Sequence, residues 1–163
     1  MCLFKKKVIL PHPEELVNYD CTMENYNLDV IFQKWYDDYL VPVEYRDYWR
    51  NQIEIEVTDT LPYEAATWEV NGKRHLAVRP EWLNAGVIAH EQAHNSYALL
   101  TECEKLAFAD LHTKLKKSNE MVKYLYSINS YGLHNDIEGH AEIYRYLGQG
   151  MPQELKQYYP KLF

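Results

Sequence analysis

The stretch GVIAHEQAHNSYALL, residues 86–100, limits what this chain can fold into more than any other. It has the length and apolar content of a buried helix, yet it carries His90, Glu91 and His94. Positions four apart on a helix are rotated by about 40° and rise about 6 Å, so His90 and His94 leave the same face. Leu83, Val87, Tyr97 and Ala98 continue that face, which reads as core-facing. Buried imidazoles need partners. The fold must therefore bury this helix and bring polar groups from elsewhere in the chain to meet it.

Each fixed position of H-E-x-x-H has a mechanical reason. Two imidazoles on one face hold one metal ion between them, zinc above all. Glu91, one residue on, is poorly aimed as a ligand but well placed against a metal-activated water, the position of a general base. Among chains of this composition the pattern arises by chance in roughly three of a hundred, so its core-facing setting must carry part of the argument. The bland alternative is a pair of core histidines satisfied by neighbours.

A catalytic zinc takes three protein ligands and leaves a position for water. The third is sought in SINSYGLHNDIEGHAEIYRYLG, residues 127–148. Glu138 and Glu142 share a helix face there, whereas His140 is rotated about 200° from Glu138 and points away. Glu138 and His140 cannot both be ligands from one regular helix. Each also has an ordinary reading: Asn135 with Glu138 makes a capping pattern, His140 is an exposed or core-edge histidine, and Glu142 is a surface partner of Arg145 or Tyr146.

The rest of the chain sets the frame. Residues 28–40 place apolar side chains three and four apart, the stripe of a helix that Pro42 ends. Residues 52–58 alternate Ile53, Ile55 and Val57 with Glu54 and Glu56, a half-buried strand. Residues 67–70 and 73–78 flank Asn71-Gly72, the pair suited to a two-residue type I′ turn, and predict a hairpin. From 82 to 126 the period is helical, and residues 135–147 and 152–159 read as further helices. The fold class expected is α+β, a small sheet with a hairpin at its edge followed by a helical second half, in one domain over 1–163. A formal charge of -7 argues against nucleic acid as a partner. The segment MCLFKKKVIL is too short in apolar residues for a signal peptide and no later run reaches membrane-spanning length, so a cytoplasmic chain without a membrane partner is expected, with non-classical secretion left open. Three scattered cysteines form no metal knuckle or disulfide framework. A monomer is expected.

The segment S-Y-G-x-x-N-x-x-E-x-x-A-E, here Ser130, Tyr131, Gly132, Asn135, Glu138, Ala141 and Glu142, resembles the second active-site block of the gluzincin metallopeptidases of the anthrax lethal factor group, to which the clostridial Pro-Pro endopeptidases are similar. Its distance after the first block, 44 residues from His94 to Glu138, resembles theirs. The resemblance covers residues 87–147 and implies a zincin-like fold. It implies that His90, His94 and Glu138 bind zinc, that Glu91 is the base, and that Tyr131 donates to the oxyanion. It further implies that Glu142 supports a zinc-binding histidine, and that residues 73–79 form the edge strand that holds an extended substrate. The ordinary reading of that strand is a sheet edge protected by Lys73, Arg74 and Arg79.

The expected function is a zinc endopeptidase acting on a protein or peptide substrate. The alternative is a non-catalytic zincin-scaffold binding module with a structural zinc, for which His134 or His140 would supply a fourth ligand. A zinc hydrolase acting on a non-peptide amide would use the same site.

Overall fold

The computed structural model describes residues 2–3 and 27–163. Met1 and residues 4–26, which include His12, Cys21 and the basic run at 5–7, lie outside the described residues. After a two-residue strand, β1 (Cys2–Leu3), helix α1 (Leu28–Asp38) starts at Asn27, whose side chain accepts the Asp29 N–H. It buries Ile31, Phe32, Trp35 and Tyr36, the stripe its spacing predicts. A short helix α2 (Arg46–Arg50) leads into strand β2 (Ile53–Val57), which buries Ile53 and exposes Glu54 and Glu56. Strands β3 (Ala65–Val70) and β4 (Lys73–Val78) form the hairpin. Asn71 and Gly72 both have positive φ, 52° and 76°, as a type I′ turn requires.

The sheet is mixed, in the order β1-β3-β4-β2, with β4 antiparallel to β3 and parallel to β2. The strand at 73–79 is therefore not an edge. Both sides of β4 are paired, so its main chain is not available to an extended substrate. The reason is burial: Ile53 of β2 must reach the same core as Leu76 and Val78 of β4, and pairing the two strands puts all three there.

The helical run from 82 to 126 divides into α3 (Ala85–Ala98), α4 (Glu102–Ser118) and α5 (Glu120–Ile128). The breaks fall at capping residues. Thr101 and Glu104 cap each other reciprocally, and Asn119 accepts the N–H groups of Met121 and Val122. A 3-10 turn at Tyr131–Leu133 precedes α6 (Asp136–Leu147). The tail at Gln153–Tyr158 is 3-10 rather than α-helical. The Tyr158 carbonyl and the Tyr159 ring both close on His140, and that docking fixes the tail's winding.

Helix α3 is central. Ile88, Ala89 and Ala93 are buried in the apolar core, and His90, Glu91, Gln92, His94 and Ser96 are buried as well. It packs against α1 and, most extensively, against α6. Among the described residues no helix is long and apolar enough to cross a membrane.

Candidate metal centre

The site is built where α3 and α6 cross. His94 lies near Glu138 and His90 near both Glu138 and Glu142, so the two helices run antiparallel. Asn84 starts α3 by accepting the Val87 N–H, and Asn135 starts α6 by accepting the Glu138 N–H. Glu138 thus serves as a capping position through its backbone while its side chain turns inward. The cap uses only the backbone of Glu138 and does not occupy its carboxylate.

His90, His94 and Glu138 offer one ligand atom each within a single buried group that could hold a metal ion. His90 Nε2 and His94 Nε2 are 3.1 Å apart, and Glu138 Oε2 is 3.4 Å from the first and 3.5 Å from the second. A tetrahedral ion with arms of about 2.0–2.1 Å separates its ligand atoms by about 3.3–3.4 Å. The triangle has that size. Glu138 Oε2 is also buried with no hydrogen-bond donor, an oxygen in want of a cation.

The electrostatics agree. Burial alone would lower the His90 pKa, but the neighbouring carboxylates of Glu138 and Glu142 outweigh it and push His90 up to about 9. Burial would raise the Glu138 pKa, yet the two imidazoles hold its carboxyl well below the usual range. The group attracts positive charge, and a metal ion competes with the proton for it.

Glu142 is fully buried, and its Oε1 accepts from His90 Nδ1 at 2.7 Å. That bond directs His90 Nε2 toward the other two ligand atoms as an acceptor. Glu142 does pair with Arg145, whose Nη1 stands 4.0 Å from Oε1, but both residues are buried, so the pair is not at the surface.

Tyr131 lies beside the group, with its ring centroid 6.2 Å from that of His90. Its loop is fixed by Asn129, whose Oδ1 accepts the Tyr131 N–H at 3.0 Å while its Nδ2 donates to Glu142 Oε2. Sequence reasoning missed Asn129, although an Asn two residues ahead of a turn is a local signal for this arrangement. Gly132 lets the loop close. A Cβ there would meet the Tyr126 ring at 2.6 Å and Glu142 at 3.1 Å.

Glu91 is buried at 3% exposure and accepts from Arg74 Nη1 at 3.3 Å through Oε2. Arg74 also donates from Nε to Asn95 at 3.2 Å. It does not guard a sheet edge. The signal was present in the strand period, since Arg74 shares a face with buried Leu76 and Val78. Lys73 and Arg79 instead make ion pairs with Glu54 and Glu81.

The other described histidines stand elsewhere. His134 is exposed and stacks on Tyr131, His140 is buried against Tyr159 with Nε2 on the Tyr158 carbonyl, and His75 stacks on Trp68 over the sheet. His112 is buried between Asp136 and the Tyr126 hydroxyl, at 2.8 and 2.6 Å.

The arrangement defines a protein with a buried His-His-Glu group, able to hold a cation, on an antiparallel helix pair. No family model, curated protein or solved structure matches the chain.

Proposed function

We propose that this chain is a zinc-dependent endopeptidase of zincin type, with His90, His94 and Glu138 as zinc ligands. The observation that carries this reading is the triangle of ligand atoms at 3.1, 3.4 and 3.5 Å, which suits a small tetrahedral ion. A bound zinc ion supplies a Lewis acid and acidifies water toward neutral pH. Glu91 acts as general base at Oε1, the oxygen opposite the one Arg74 holds, and returns the proton to the leaving amine. The Tyr131 phenol donates to the carbonyl oxygen as it gains negative charge. Glu142 and Asn129 keep His90 and the Tyr131 loop in register with each other.

One contact favours the second reading, a binding module with a structural zinc. Glu91 is engaged by Arg74, a use for the carboxylate that requires no chemistry. Against it, the group among the described residues contains three ligands rather than four, and neither His134 nor His140 joins it. Zinc content by elemental analysis and a peptide-library digest of the native chain and Glu91→Gln separate the readings. Stoichiometric zinc with Glu91-dependent cleavage is expected. Zinc retained by both proteins with no cleavage of any peptide selects the binding module, and no zinc in the native chain rejects both. An amide substrate cleaved in place of peptides would keep the site and change the substrate class.

A further inference from the structure

The group around His112 takes no part in the chemistry proposed above, yet it is as dry as the metal centre. His112 of α4 is 1% exposed and Tyr126 of α5 is 8% exposed. His112 Nδ1 stands 2.8 Å from Oδ1 of Asp136, the first residue of α6, and Nε2 stands 2.6 Å from the Tyr126 hydroxyl. A carboxylate only accepts, so Nδ1 carries the ring proton and Nε2 accepts from the Tyr126 O–H. Burial pushes the His112 pKa down and the Tyr126 pKa up, which keeps both links neutral. Phe108 stacks on the imidazole, with ring centroids 5.5 Å apart and 19° between the planes, and fixes the plane of the ring.

This series of hydrogen bonds ends against the loop that carries Tyr131. A Cβ at Gly132, the next residue, would stand 2.6 Å from Tyr126 Cε1 and 3.2 Å from its hydroxyl. A Cβ at Gly139 of α6 would collide with the His112 ring and come within 2.9 Å of the Gly132 carbonyl. The main chains of the loop and of α6 therefore lie directly on the two rings. Asn129 holds the near end of the loop by tying the Tyr131 N–H to Glu142, and the His112–Tyr126 pair backs it at Gly132. Apolar rings could fill the same space without buried polar atoms to satisfy. Hydrogen bonds add direction, which packing alone leaves open.

We propose that His112 is a positioning residue for Tyr131: with Tyr126 and Asp136 it fixes the loop against the start of α6, and with it the place of the Tyr131 phenol beside His90 and Glu138. Its role in turnover rests on the reading of Tyr131 as oxyanion donor given above. The placement of the loop does not.

The test uses the full chain with ¹³C-labelled tyrosine rings, free of metal, with the Tyr131 signal assigned by its loss in Tyr131→Phe. Tyr126→Phe removes one hydroxyl and keeps the ring that packs on Gly132. It should move the Tyr131 ring signal while that of Tyr36 in α1 stays in place. Asp136→Ala cuts the series at its outer end, where the side chain is 39% exposed, and should move the same signal; Asp136→Asn, whose amide oxygen still accepts from Nδ1, should restore it. In peptide cleavage by the zinc-loaded protein, Tyr126→Phe should lower kcat about 10- to 100-fold with KM changed less than about twofold, and should have no further effect in the Tyr131→Phe background. A Tyr131 signal unmoved in folded Tyr126→Phe and Asp136→Ala overturns the proposal, as does an equal loss of kcat in both backgrounds, the mark of a merely structural role. Should Tyr126→Phe fail to fold, the two Asp136 variants carry both measurements. A native chain that cleaves no peptide counts against the proposed function, and the ring signal alone then decides whether His112 holds the loop.

Discussion

Around α1 and the sheet the buried residues include Phe32, Trp35, Trp49, Ile53 and Leu76, each at 1% exposure or less. Between α3 and α6 the exposures are nearly as low, but the residues are His90 at 2%, Glu142 at 0% and Glu138 at 6%. Two interiors of one small protein are equally dry and chemically opposite. The apolar one stabilises the chain by keeping surface from water. The polar one must satisfy each group individually, through Glu142 on His90, Asn129 on Glu142 and, in the function proposed above, a cation among the three ligand atoms. The first interior holds the second in place, and the second contains the three candidate metal ligands.

The largest effect should come from Glu91→Gln. It leaves the ligands intact, so zinc should be retained while turnover falls on the order of 10² to 10⁴, read by peptide cleavage. Its mirror image on the apolar side is Trp35→Ala, expected to cost about 3–5 kcal/mol in urea unfolding with little change in the zinc affinity of the folded fraction. If Trp35→Ala abolished zinc binding in folded protein, the two interiors would not be separable. Glu142→Gln should weaken zinc about 10- to 100-fold by loosening His90, measured by competition with a chelator.

Acid and base should also distinguish the two interiors. His90 has a folded pKa of about 9, above its ordinary value near 6.5, so its contribution to the metal-free protein is full below about pH 6.5 and is lost as pH rises toward 9. The depressed carboxyls of Glu138 and Glu142 contribute above about pH 4.3 and lose that contribution as pH falls. Metal-free stability from this group should therefore peak between about pH 4.3 and 6.5. Zinc reverses the alkaline trend, because ligation requires deprotonated histidine, so the gap between loaded and chelated protein should widen from pH 6 to pH 9 in urea unfolding. A gap that narrows would remove His90 from the ligands. The smallest effect belongs to a position remote from both interiors. Thr101→Ala breaks the reciprocal cap of α4 and should cost about 1 kcal/mol with zinc affinity untouched.

Features set by a few neighbouring residues were readable from the chain alone. The α1 stripe, the alternation of β2, the Asn71-Gly72 turn, the shared face of His90 and His94 and the Asn135 cap all follow from helix pitch, strand period and local φ preference, which act over a handful of positions. The convergence of Glu138 on the two histidines was legible only through motif spacing. Tertiary packing decided the rest: that β4 lies inside the sheet, that Arg74 reaches Glu91 across 17 residues of sequence, that Glu142 supports His90 across 52 residues, and that Asn129 ties Glu142 to the Tyr131 loop. Periodicity tells which way a side chain points from its own element, but its partner depends on which other element is docked there. That choice is made by the burial of whole faces, β2 beside β4 and α6 along α3, and no local pattern encodes it.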